Sequence, residues 1–131
     1  AMSDPVTEYY KNFFVDIVCE KMNAGKVLYF TEKTARPIMT MNPFIINASV
    51  GHLANLKKVG FKTFRRYWSE DYDFQNGVPR IKSIQNICDE LARLPKSELE
   101  SMYEDMKPTL EHNRSLYKEL TIDKLKKTFI I

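Results

Sequence analysis

Apolar residues fall in short runs through the first half of the chain and at helical spacing through the second. Phe13, Phe14, Val15, Ile17, Val18 and Cys19 form an apolar run interrupted only by Asp16, and its β-branched and aromatic content predicts a strand over 13–19. A run this short does not separate strand from helix, so one helix from Pro5 to Met22 is the competing reading. Upstream, Ser3 or Asp4 is suited to cap a short helix carrying Tyr9 and Tyr10. Thr31 is suited to cap a helix of about two turns with Ile38, Met39 and Met41 as its apolar positions, and Pro43 should stop it. Phe44, Ile45 and Ile46 then read as a buried strand leading into Asn47, Ala48 and Ser49. Ser49 is a natural N-cap for a helix with Val50, Leu53, Leu56 and Val59 as its stripe, and Gly60 suits its C-terminal turn. The alternation of Phe61, Lys62, Thr63 and Phe64 predicts a third strand. Helices or long connections separate these strands, so they should form one parallel sheet.

Beyond Pro79 the pattern is helical throughout. Ile81, Ile84, Ile87, Cys88, Leu91 and Leu94 make one amphipathic face, and Pro95 ends it. Ser97 and Glu100 have capping-box spacing for a second helix, which runs through Leu99, Met102, Met106, Leu110 and Leu116 to Leu120 with a kink expected at Pro108. Thr121 should cap a last short helix whose apolar face is Ile122, Leu125, Phe129 and Ile130. The expectation is an α/β domain with a core over about 13–94 and a helical extension over 95–131. The apolar stripes of that extension exceed what one small core covers, which predicts a homodimer, packing against a partner domain, or packing of the tail across the sheet.

Composition narrows the class. With 131 residues, 44% of them hydrophobic and 28% charged, the chain suits one ordinary soluble domain and has no room for two full cores. A formal charge of +3, mostly interleaved with acids, does not argue for nucleic acid. The run Lys57, Lys58, Lys62, Arg65 and Arg66 is the exception; it reads as a plain basic face or as a lure for a phosphate-bearing ligand. Cys19 and Cys88 sit in apolar patterns and read as small buried hydrophobes, with no disulfide framework or zinc spacing. No stretch has the length of a membrane span and no signal-peptide order opens the chain, so a cytoplasmic setting is the default expectation. Ala1 ahead of Met2 reads as an expression remnant. The glycine-rich turn of nicotinamide-binding domains is missing, and no cofactor is expected.

Ligands of open α/β sheets gather at the carboxyl ends of the strands. Glu20 at the end of the first strand, the helix start at Thr31, Glu32 and Lys33, and the loop from Asn47 through Ser49 to Gly51 should therefore converge on one edge. A helix N-terminus offers unpaired N–H groups to an anion, and phosphate suits such a start. The plainer reading is that Thr31 caps, Glu32 favours the dipole and Lys33 is solvated. His52 has no carboxylate or serine partner at useful spacing. The loop 65–79 sets Tyr67, Trp68, Tyr72 and Phe74 among Glu70, Asp71 and Asp73, which suits sugar binding or a lid on the core edge.

Over roughly 13–94 the chain resembles the C-terminal, nucleotide-sugar-binding half of glycosyltransferases of the two-Rossmann-domain (GT-B) type, in particular fucosyltransferase-like families and their relatives in phage and marine bacterial genomes. The residues that carry the likeness are Phe14–Glu20, Tyr29-Phe30-Thr31-Glu32-Lys33-Thr34 with Arg36-Pro37-Ile38, Pro43-Phe44-Ile45-Ile46, and Gly60-Phe61-Lys62-Thr63-Phe64. The resemblance implies a small Rossmann-like three-layer fold, with Glu32 at the nucleotide ribose and Lys33 at the diphosphate. It also implies an acceptor domain for which this length has no room, so the chain reads as a fragment, a degenerate half or a member of a complex. The acceptor-side base has no candidate here. The alternative is a non-catalytic α/β interaction domain that associates through its C-terminal helices.

Overall fold

The computed structural model describes residues 15–20 and 32–129, with side chains to Lys124. The expected helix near Tyr9 and Tyr10 and the residues 13–14 of the first strand lie outside them. What is described is an α/β arrangement of two strands, four α-helices and one 3-10 turn. The order is β1 (Asp16–Cys19), α1 (Glu32–Thr40), β2 (Phe44–Asn47), α2 (His52–Val59), the 3-10 turn Asp71–Phe74, α3 (Gly77–Ala92) and α4 (Lys96–Phe129).

β1 and β2 pair in parallel, Asp16 opposite Phe44 and Cys19 opposite Asn47. The ladder extends past both ends, with Asp16 N–H donating to the Pro43 carbonyl at 2.9 Å and Glu20 N–H to the Asn47 carbonyl at 3.1 Å. β2 is buried along Phe44, Ile45 and Ile46, as a continuous apolar run in a parallel pair requires. β1 alternates instead, with Val18 inward and Ile17 and Cys19 outward. Cys19 is thus exposed rather than a buried hydrophobe, because its parity in β1 puts it on the outward face. Cys88 is half-buried against the core.

α1 stops before Pro43. Met41 takes a left-handed conformation, φ 58°, and its N–H donates to the Ile38 carbonyl at 3.4 Å while Asn42 N–H reaches the Pro37 carbonyl at 2.9 Å. This is the two-bond Schellman ending, with methionine where glycine is usual. Met39 points to solvent, and Thr34, Ala35, Pro37 and Ile38 form the buried face. α2 ends as its glycine suggests: Gly60, φ 117°, donates to the Leu56 and Lys57 carbonyls.

The third strand does not form. Over 61–64 the backbone is irregular, and side chains satisfy it in place of a neighbouring strand. Asn113 of α4 accepts from Lys62 N–H at 2.8 Å and donates to the Lys62 carbonyl at 2.9 Å. Glu70 accepts from Phe64 N–H at 3.1 Å, and Phe61 N–H goes to the Leu56 carbonyl at 3.1 Å. Both phenylalanines are buried, and Phe64 meets Phe44 edge to face at 4.9 Å between centroids.

α3 opens at Gly77, ahead of Pro79, and its buried face is Arg80, Ile84, Ile87 and Leu91, leaving Ile81 exposed. α4 is one helix through Pro108 and Thr121. It begins at Lys96, so Ser97 lies inside the first turn and no capping box forms; the Glu98 and Leu99 amides donate to the Pro95 carbonyl instead. Thr121 does not start a new helix either, since its hydroxyl donates to the Tyr117 carbonyl one turn back at 2.9 Å. α4 packs across the domain through Met106 and Leu110, the Tyr103 hydroxyl donating to the Met41 carbonyl at 2.9 Å and His112 Nε2 lying 2.8 Å from the Gly60 carbonyl. Leu116 also packs on the core, whereas Leu120 and Ile122 are exposed. Among the described residues no helix is long and apolar enough to cross a membrane.

Candidate functional site

Parallel pairing sends the chain from the ends of both strands to the same edge of the pair. Glu20, one residue past β1, is buried there, and its carboxylate accepts from the Thr34 hydroxyl at 2.7 Å. This bond fastens the end of β1 to the first turn of α1, the turn that carries Glu32 and Lys33 on its exposed side. Asn47, the last residue of β2, is half-buried beside Glu20 in the ladder, and Ser49 is half-buried two residues on. Thr31 lies outside the described residues.

Ser49 does not cap α2. Gly51, φ 83°, holds the N-cap position, and Ser49 contributes its carbonyl to His52 N–H at 3.1 Å. The cap comes from Asp73, whose carboxylate accepts from Leu53 N–H at 2.8 Å and Ala54 N–H at 3.1 Å while its own carbonyl accepts from Gly51 N–H at 2.8 Å. A full negative charge complements the positive end of the helix better than a hydroxyl does. The α2 start is thereby closed to a phosphate.

Behind the edge lie His52, Asp73 and Arg80, each at most 5% exposed. Arg80 donates to the Ile46 carbonyl at 3.1 Å and the Gln75 carbonyl at 3.2 Å, and its guanidinium lies 5.6 Å from the centre of the Tyr72 ring. Burial lowers the Arg80 pKa, while Asp73 and Tyr72 act the other way. The Tyr72 hydroxyl accepts from Ile46 N–H at 3.3 Å, and burial pushes its phenol well above the ordinary range. Burial also holds His52 below the usual histidine value; Glu20 and Asp73 oppose this and Arg80 adds to it. Among the described residues, buried His52 Nε2 has no hydrogen-bond partner.

Carboxylates near His52 are not legible along the chain, because Glu20 and Asp73 reach it only through the fold. The burial of Arg80 has a signal in the spacing: positions 80, 84, 87 and 91 keep helical phase, and Ile81 is the member of the apolar stripe that falls off that face. The loop 65–79 is mostly structural: Trp68 and Tyr72 are core, and Glu70 accepts from the Thr63 hydroxyl at 2.6 Å. The basic run is not isolated from acids, since Lys57 lies 3.9 Å from Glu70 and Arg66 3.6 Å from Asp105. Among the described residues no group of histidines, cysteines and carboxylates is placed to hold a metal ion. No family model, curated protein or solved structure matches this chain.

Proposed function

We propose that this chain is the nucleotide-sugar-binding part of a glycosyltransferase-like protein, a Rossmann-like unit whose donor lies along the carboxyl edge of β1 and β2. In this reading Glu32 contacts the ribose and Lys33 the diphosphate. The observation that carries it is the buried Glu20–Thr34 bond, which holds the α1 start against the strand end and leaves the Glu32 and Lys33 side chains facing solvent. A diphosphate leaving group gains negative charge as the glycosidic bond breaks, and a lysine beside a helix N-terminus offsets that charge. The acceptor and its base would come from another domain. Calorimetric titration with a nucleoside, its diphosphate and its sugar conjugate tests the assignment. Lys33→Ala should weaken the two diphosphates by about 1.5–3 kcal/mol and spare the nucleoside, whereas Glu32→Ala should weaken all three. No binding by the wild-type chain at millimolar ligand would sink the reading.

A second reading, a non-catalytic interaction domain, draws on the exposed Leu120 and Ile122 of α4. Apolar side chains on one stretch of a long helix suit a second copy or a partner domain. Light scattering that gives a monomer would remove the homodimer.

A further inference from the structure

A cavity of about 190 Å³ opens on the outer side of α2, floored by Leu53 and Ala54 and ringed by Lys57, Arg65, Asp71 and Phe74. Phe74 is 70% exposed, a large ring left in water at the mouth of a pocket. Two further carboxylates in the wall, Glu70 and Asp73, are taken up by internal bonds, Asp73 to the α2 amides and Glu70 to Thr63 and Phe64. The side chains left to face a ligand are therefore Arg65, Lys57 with the N–H groups not turned to Glu70 3.9 Å away, one carboxylate acceptor, Asp71, and an aromatic face.

We propose that this cavity binds a single neutral monosaccharide ring, stacked on Phe74, with hydroxyls donating to Asp71 and accepting from Arg65 and Lys57. Size sets the first limit. At about 30 Å³ per water molecule the cavity holds about six waters, a volume suited to one sugar ring and below the roughly 300 Å³ typical of sites for larger ligands. Charge sets the second. Three carboxylates against two cations disfavour a phosphate, whereas hydroxyls donate and accept equally well. The C–H face of a pyranose supplies the apolar cover that the Phe74 ring lacks.

The inference goes beyond the donor reading and does not depend on it, because the sugars are titrated without a nucleotide. The full chain, isotope-labelled, is titrated with D-glucose, D-galactose and N-acetylglucosamine in turn and followed by the backbone amide resonances of Ala54, Lys57, Asp71 and Phe74. At least one sugar should give saturable shifts at these amides in the millimolar range. Phe74→Ala, a change at an exposed position, should raise that dissociation constant about tenfold, as loss of a ring contact does. Asp71→Asn should weaken the same sugar while the amide spectrum elsewhere is unchanged. The proposal is overturned if no sugar gives saturable shifts, if Phe74→Ala binds as the wild type does, or if inorganic phosphate binds there more tightly than any sugar. A nucleoside diphosphate that fails to bind while the sugar shifts persist would remove the donor reading alone.

Discussion

The strand β2 and the stretch 61–64 pass through the same core and touch through Phe44 and Phe64, yet their backbones are satisfied by different means. β2 has β1 along one side. On its other side Ile46, with no exposed surface, gives its N–H to the Tyr72 hydroxyl and takes the Arg80 guanidinium on its carbonyl. The stretch 61–64 has no strand on either side, and Asn113 and Glu70 do for it what a ladder would do. The difference explains why, among the described residues, no strand lies on this side of β2. A third strand beside β2 would need the edge that Tyr72 and Arg80 already occupy, and a buried backbone group accepts any well-placed partner, strand or side chain.

The comparison breaks most sharply at Arg80. Arg80→Met keeps the bulk but leaves the Ile46 and Gln75 carbonyls without their donor and removes a cation that acts on Asp73, which should cost about 3 kcal/mol or more of unfolding free energy. Denaturant melts measure it, and a loss no larger than that of a surface substitution would show that the edge of β2 is not held this way. The matching change at the other stretch is Asn113→Ala. Two hydrogen bonds to Lys62 disappear where water has partial access, so the expected loss is about 2 kcal/mol. Amide exchange should speed up at Lys62 and leave Ile46 protected; faster exchange at both would mean that the two stretches open as one unit.

Before the structure, the legible parts of the fold were those set by short-range chemistry. The burial of Phe44–Ile46 follows from a continuous apolar run, and the end of α2 follows from Gly60, whose positive φ a β-carbon would strain. The strand expected over 13–19 was open to the competing reading of one helix from Pro5 to Met22; the fold settles it as a strand over Asp16–Cys19, and the parallel pairing follows from the long connection to β2. What the sequence hid depends on partners far along the chain. Alternation at 61–64 has the period of a strand, but pairing is settled by Asn113, about fifty residues on. A serine before α2 looks like its cap, and the carboxylate of Asp73 displaces it. At the candidate site, Glu20 was legible as a strand-end acid, while its link to Thr34 and the burial of His52 among Glu20, Asp73 and Arg80 arise only from the fold.

The finest distinction between the two stretches is electrostatic and lies at Glu70. Ile46 is held by neutral and cationic groups, whereas Phe64 N–H is held by a carboxylate that is itself buried. Burial raises the Glu70 pKa, and Asp73 adds to the rise; the bonds from Thr63 and Phe64 and the charge of Lys57 pull the other way without cancelling it. The sign follows from linkage. An acid whose folded pKa lies above its unfolded one binds its proton more tightly in the fold, so its contribution is full below the unfolded value, about 4.3 for glutamate, and is lost as pH rises through the raised value. Glu70→Gln removes that titration and keeps a side-chain acceptor for Phe64 N–H. Measured side by side across a pH series, the wild type should lose stability relative to Glu70→Gln as pH rises above that range and then run parallel to it, with a total change smaller than the loss in Asn113→Ala. A difference that stays flat with pH, or that moves in favour of the wild type, would mean that the hydrogen bonds to the charged carboxylate outweigh its burial. The stretch 61–64 would then be held at Phe64 by a charge that the fold welcomes.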